Sequence, residues 1–473
     1  MRLNKTIDKL SGINLWLLFF LYTCCISAIV QMVLLPYFFS NLYAGNGLFI
    51  SSFDSLGFHK LAVDLSDKIR TQGWSAWQLK PEGHAIAGII SIFYALLLPD
   101  PRILIPINAV LHASAVLILV NTFSLFIKNK SKAVLCALPF LVFPSNLQWT
   151  AQLHRDGYSI LGMILLLYGM ASPFRLENFK VRNLLFNNFR SFIYCTCGLF
   201  LIWFARSYML MIIVPFTRSV FFLLFLITLV AAFKKNILWR DLLLVSLPIL
   251  LMFFVLAQMC PHDFKKSTSV VNPVIVNPVT VNPVTVNPSV KNTVEVINKD
   301  DIENYWKRLP WFPTAIDCKI YKLAQARRGF RLSSPEANSN IDRDVGFGSI
   351  RDALVYLPRA AQIAFLAPFP NQWLHKGSSP ANSLMRRVSA YEMIVVYFSL
   401  LFLPYAIWYW RKRIEMWIIS SFCVYMMLVY GLVVCNIGTL YRMRYVYITT
   451  LAALGIAGFI TFLENLKINK RQM

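Results

Sequence analysis

Long apolar runs alternate with short polar gaps along this chain, and Lys and Arg gather at every second gap. The clusters are Arg2/Lys5/Lys9, Lys128/Lys130/Lys132, Arg175/Lys180/Arg182/Arg190, Lys234/Lys235/Arg240, Arg411/Lys412/Arg413 and Lys467/Lys470/Arg471. A chain threaded through a bilayer keeps such an excess on its short cytoplasmic loops, so the alternation fixes which gaps face outward. The runs predict spans over 13–39, 102–127, 133–144, 157–171, two crossings between 192 and 233, then 241–259, 391–410, 415–435 and 445–463. That makes about ten helices in an all-α polytopic membrane protein with both termini cytoplasmic. The first run is too long for the core of a cleaved leader and lacks a small-residue cleavage motif, so it reads as an uncleaved span.

This parity divides the chain into an amino-terminal membrane module (1–259) with external loops at 38–101 and 145–157, an external segment (260–390), and a carboxy-terminal membrane module (391–473). In the first loop, 54–72 has helical spacing, with Leu56, Phe58, Leu61, Leu65 and Ile69 set against Lys60, Asp64, Asp67 and Lys68. This predicts an amphipathic helix at the membrane surface. The apolar piece 85–99 is short for a bilayer core and as a span would invert every later loop. It is expected to be re-entrant or interfacial. In the external segment a Val-Asn-Pro-Val-Ile/Thr repeat over 271–289 brings proline every fifth residue, which forbids helix and predicts an extended spacer. Helical patterning at 300–331 and 349–366 predicts a small soluble cap.

Composition agrees with the pattern: 57% of residues are hydrophobic and only 14% charged, outside the soluble range. The formal charge of +24 would suggest nucleic acid in a soluble protein, but 19 of the 46 basic residues lie in the six clusters, so topology accounts for much of it and no nucleic-acid partner is expected. Most of the nine cysteines sit in apolar runs without metal-ligand spacing. Cys260 and Cys318 are both external, where a disulfide could form.

Two external carboxylates stand where the chain meets the membrane: Asp54, in Phe53-Asp54-Ser55, and Asp156, in His154-Arg155-Asp156-Gly157. Partial desolvation there favours proton uptake and suits a base for a hydroxyl nucleophile. Helix capping is the plainer role for both. Arg155, Arg206, Arg442 and Arg444 fall at external edges where topology requires no positive charge. A planar guanidinium matches a phosphate through two parallel hydrogen bonds, whereas an isolated arginine there would snorkel to lipid headgroups. Trp74 and Trp77 suit either a sugar face or an interfacial belt. His112 reads as a packed residue of the second span.

This layout resembles the GT-C membrane glycosyltransferases that use polyprenyl-phosphate sugars, such as the bacterial protein mannosyltransferases and the aminoarabinose transferases of lipid A. The likeness rests on a cytoplasmic start, one span, and a long loop with an acid heading a surface helix (Asp54-x-x-x-Phe58-His59). It continues with an apolar helix after Lys80-Pro81, the second acid at Asp156, Arg206, and Gly438-Thr439-Leu440-Tyr441-Arg442-Met443-Arg444-Tyr445. It covers the first 210 residues and roughly the last 40. The resemblance implies transfer of a sugar from a polyprenyl-phosphate donor to a glycan, lipid or protein acceptor at the periplasmic face of a bacterial inner membrane, with inversion, in cell-envelope polysaccharide or glycolipid assembly. Asp54 would be the base and Asp156 the organiser of acceptor or metal, with His59, Arg155, Arg206, Arg442 and Arg444 binding phosphate and substrate. The chain departs from the pattern in lacking a paired acid at either loop, which leaves a divalent cation as an open option.

Two other readings compete. An O-antigen-type polysaccharide polymerase also uses lipid-linked donors, and Arg327/Arg328/Arg331 would suit it. A lipid-linked sugar transporter or flippase would be expected to carry polar groups at mid-membrane, broken helices and internal repeats.

Overall fold

The computed structural model describes residues 2–50, 53–174, 181–234, 239–259, 306–309, 311–333 and 337–472. The proline-repeat spacer and Cys260, and with it the Cys260–Cys318 pairing, lie outside these. The molecule is a helical bundle: α1 (Arg2–Lys9), α2 (Gly12–Ile29), α3 (Phe53–Gln72), α4 (Ala85–Leu96), α5 (Ile105–Phe123), α6 (Lys130–Val142), α7 (Pro144–Thr150), α8 (Asp156–Ala171), α9 (Val181–Arg206), α10 (Leu210–Lys234), α11 (Trp239–Gln258), α12 (Thr314–Ser333), α13 (Ile350–Leu366), α14 (Pro380–Tyr409), α15 (Ile414–Val433) and α16 (Ile437–Gln472). The described residues include one short hairpin, β1 (Tyr43–Gly45) with β2 (Leu48–Phe49).

Among the described residues, eight helical stretches are long and apolar enough to cross a membrane, nine if α6 and α7 form one crossing bent by 64°. The stretch Asn183–Val230 is 48 residues long, and it doubles back at Arg206, whose backbone leaves helical geometry. Asn188 and Thr196 of α9 contact Val245 and Met252 of α11 in parallel order. Arg218 of α10 meets Leu256 near the end of α11, which is reached only if α10 runs back alongside. The helices approach closely where glycine removes the side chain: a Cβ on Gly455 would run into the Ser399 carbonyl, and one on Gly162 into that of Gly198.

Four of the basic gaps meet at one end of the bundle. Asp8 accepts from Ser131 N at 2.8 Å, Lys130 Nζ reaches Leu10 O at 2.5 Å, Arg413 Nη1 reaches Leu125 O at 2.6 Å, and Lys132 pairs with Glu464. The opposite end holds the hairpin, α3, α4 and the 150–156 loop. There α3 buries Phe58, Ala62, Leu65 and Ile69, so its apolar stripe packs on α4, whose 12 residues are too few to span. The stretch 314–366 departs from the expected separate cap. α13 packs Tyr356, Ala360, Ile363 and Ala364 into the main core, and Gly431 of α15 lets that helix lie against the Ala360 backbone.

Candidate functional site

Asp54 lies in the first turn of α3 and Asp156 begins α8, where the positive end of a helix favours a carboxylate. Both face one cluster at the end opposite the basic loops. Arg442, from the first turns of α16, bridges them: Nη1 lies 3.1 Å from Asp54 Oδ2, and Nε lies 3.6 Å from Asp156 Oδ2. Arg206, at the α9–α10 turn, pairs with Asp156 Oδ1 and with Tyr208 Oη at 3.2 Å. Arg155 lies close enough to act on Asp156 electrostatically. Three guanidiniums against two carboxylates leave one positive charge in excess.

The two acids differ in access. The Asp156 side chain is 5% exposed and enclosed by arginines, whereas Asp54 is 39% exposed and pairs with Arg442. His154 joins them on the inner side, with Nε2 3.3 Å from Ser55 Oγ. Burial pushes its pKa down to about 4, with the neighbouring arginines adding to the effect against the acids, so it is neutral near pH 7. A narrow cavity bounded by Asp156, Ser159, Met163, Arg206, Arg442 and Tyr447 has room for about one water. Beside His154 an apolar crevice runs between α4 and α5, lined by Ile86, Ile90, Leu104, Ile107 and Leu153.

The loop that presents Asp156 is tied to the hairpin that precedes α3. Gln152 accepts from Phe49 N at 3.0 Å and donates to Gly47 O at 2.8 Å. Gln31 donates to Ala151 O, and Asn108 to Thr150 O and Gln152 O at 2.9 and 3.1 Å. Gly47, at φ +79°, lies so close to Gln31 that no side chain fits.

Two expected site residues fall elsewhere. Arg444 is 0% exposed and donates to the carbonyls of Ile363, Ala364 and Ala367, closing the carboxyl end of α13. His59 bonds Tyr94 Oη at 2.9 Å in the α3–α4 contact, and burial lowers its pKa. Arg327 is likewise structural: it is buried and donates to Val345 O, Asp342 O and Leu432 O. Trp77 donates to Gly88 O while Trp74 is exposed, and His112 stacks on Phe140. Among the described residues no three His, Cys, Asp or Glu side chains are placed to hold a metal ion, and a cation between Asp54 and Asp156 would have to displace the Arg442 guanidinium. No pattern in the sequence singles out Ser55, Tyr208 or the buried Glu392, and His154 is marked there only by its place beside Asp156.

No family model matches the chain, and comparison with curated proteins and with solved structures yields no match either.

Proposed function

We propose that this protein is a membrane glycosyltransferase of the GT-C type, crossing a bacterial inner membrane ten times and moving a sugar from a polyprenyl-phosphate donor to an acceptor hydroxyl at the periplasmic face. One observation carries this reading. Two acids of unequal access share a cluster with three arginines and an excess positive charge, at the end of the bundle remote from the basic loops. The count of ten takes α9 and α10 as two crossings and α6 with α7 as one, and the positive-inside rule puts the basic end in the cytoplasm. The excess positive charge of Arg155, Arg206 and Arg442 draws the donor phosphate to this cluster. The accessible acid, Asp54, takes the proton of the acceptor hydroxyl as that oxygen bonds to the anomeric carbon. The anomeric C–O bond to phosphate breaks, and its electron pair leaves with the polyprenyl phosphate. Asp156 holds Arg206 and Arg442 in place. Arg327 serves as an internal brace, which weakens the polymerase reading that leaned on it.

The test is release of polyprenyl phosphate by the full-length protein in lipid nanodiscs, given a panel of polyprenyl-phosphate-linked sugars and a native lipid extract as acceptor. The parent should turn over one of them, and Asp54→Asn should fall by about 10²-fold or more. A folded Asp54→Asn protein working at the parental rate overturns the assignment.

A further inference from the structure

A second polar feature lies inside the bundle, apart from the arginine cluster and independent of the function proposed for it. α6 and α7 meet at their 64° bend, and Glu392 of α14 reaches into it. Its Oε1 accepts from Ser145 N–H at 2.7 Å, and its Oε2 is hydrogen-bonded to the Tyr441 hydroxyl. Glu392 is only 3% exposed.

α14 packs chiefly on α16 and α7, and its Tyr397 donates to Leu366 O at the end of α13. α7 carries no titratable side chain, and α16 brings Tyr441, Tyr445 and Arg444. Arg444 is committed to the carbonyls at the end of α13. His112 of α5 lies on the far side of Asn146, which it contacts at 3.3 Å. Among the described residues, then, no cation pairs with Glu392. A carboxylate so enclosed, with only the neutral donors of the Ser145 N–H, the Ser145 hydroxyl and the Tyr441 hydroxyl, is strongly disfavoured against the neutral acid. The neutral acid is satisfied where it stands: its O–H donates to Tyr441 Oη, and its other oxygen keeps the Ser145 bond. One turn along the same face of α16, the buried Tyr445 hydroxyl has no hydrogen-bond partner among the described residues. Trp149 stands edge-on to both tyrosine rings, 6.5 and 5.2 Å from their centroids. Packing alone gives no reason for a free hydroxyl beside a buried acid at a break in a helix.

We propose that Glu392 is a proton-binding site of the bundle interior. It carries its proton as a neutral carboxyl hydrogen-bonded to Tyr441 and gives it up as pH rises. On release the carboxylate keeps the O–H electron pair and the proton passes to water.

The experiment compares the full-length parent with Glu392→Gln, a near copy of the neutral acid, in nanodiscs from mildly acidic to alkaline pH. Dicyclohexylcarbodiimide, an apolar reagent that needs a protonated carboxyl, marks the site, and mass spectrometry reads the N-acylurea on the Glu392 peptide. The adduct should form at neutral pH, disappear as pH rises and be absent in the variant. The parent's melting temperature should fall away from that of the variant over the same alkaline range, since only the parent has a buried acid to ionise. Parallel melting profiles overturn the proposal, with or without an adduct. If the Gln variant does not fold, Tyr441→Phe replaces it: loss of the Tyr441 hydroxyl should shift the pH at which labelling ceases, and an unchanged profile overturns the proposal.

Discussion

Removing the carboxylate of Asp156 tests the electrostatic design of the cluster. Both members of the Asp156–Arg206 pair are nearly sealed, at 5% and 4% exposure of their side chains, so solvent screening gives little relief. Asp156→Ala strands the Arg206 guanidinium, which retains the Tyr208 hydroxyl at 3.2 Å. Breaking a buried pair from one side costs about 3–5 kcal/mol. Arg442 adds little to that, because it keeps Asp54 at 3.1 Å, and the remaining Tyr208 bond places the expected loss at the lower end, about 3 kcal/mol. The matched double variant, Asp156→Leu with Arg206→Met, removes both charges and fills similar volume, so it should recover most of that loss. Denaturant or thermal unfolding of the parent, Asp156→Leu, Arg206→Met and the double variant in one detergent closes the cycle. A single variant losing under about 1 kcal/mol, the range of solvent-exposed pairs, would refute the claim that this pair is effectively buried. So would a double variant as unstable as the two singles added together.

Asp54→Asn should barely alter unfolding, by under about 1 kcal/mol, because its pair with Arg442 is a third or so exposed, while abolishing transfer in the nanodisc assay. Gly455→Leu should prevent assembly, since a side chain there meets the Ser399 backbone of α14; a monodisperse protein of parental melting temperature would contradict that packing. Asp342 is held below the usual carboxylate range by its bond with Arg359, aided by Tyr356 and opposed by burial. A depressed acid stabilises above its unfolded pKa, about 4, and that contribution is lost as pH falls through the folded value. The melting temperature of the parent should therefore exceed that of Asp342→Asn at neutral pH, and the two should converge on acidification.

Much of this arrangement was legible in the residues. Spacing of the Lys and Arg clusters foretold which loops share an end, and Asp8, Ser131, Lys132, Arg413 and Glu464 meet there. Acids at the starts of helices foretold Asp54 and Asp156, since a span entrance and a helix amino end coincide. The misassigned residues follow from helical geometry. At about 100° per residue, Arg444 points nearly opposite to Arg442, so both could not reach one cluster. His59 is five residues from Asp54 and turns toward α4, while Ser55 faces His154. The docking of α13 depended on contacts between distant parts of the chain, Gly431 with Ala360 and Arg444 with Ile363, which no local pattern announces. Glu392 was missed because a lone acid near the start of an apolar run looks like a boundary.

The acids of the cluster and their arginine partners enter the growing polypeptide at different times. Arg206 follows Asp156 by 50 residues, close enough to neutralise it while the first half of the chain is still entering the bilayer. Arg442 belongs to α16, so Asp54 lacks that partner until the chain has been made as far as α16. Until α16 inserts, the half-made chain presents a bare carboxylate at Asp54, and the three-arginine cluster is complete only once that helix has docked.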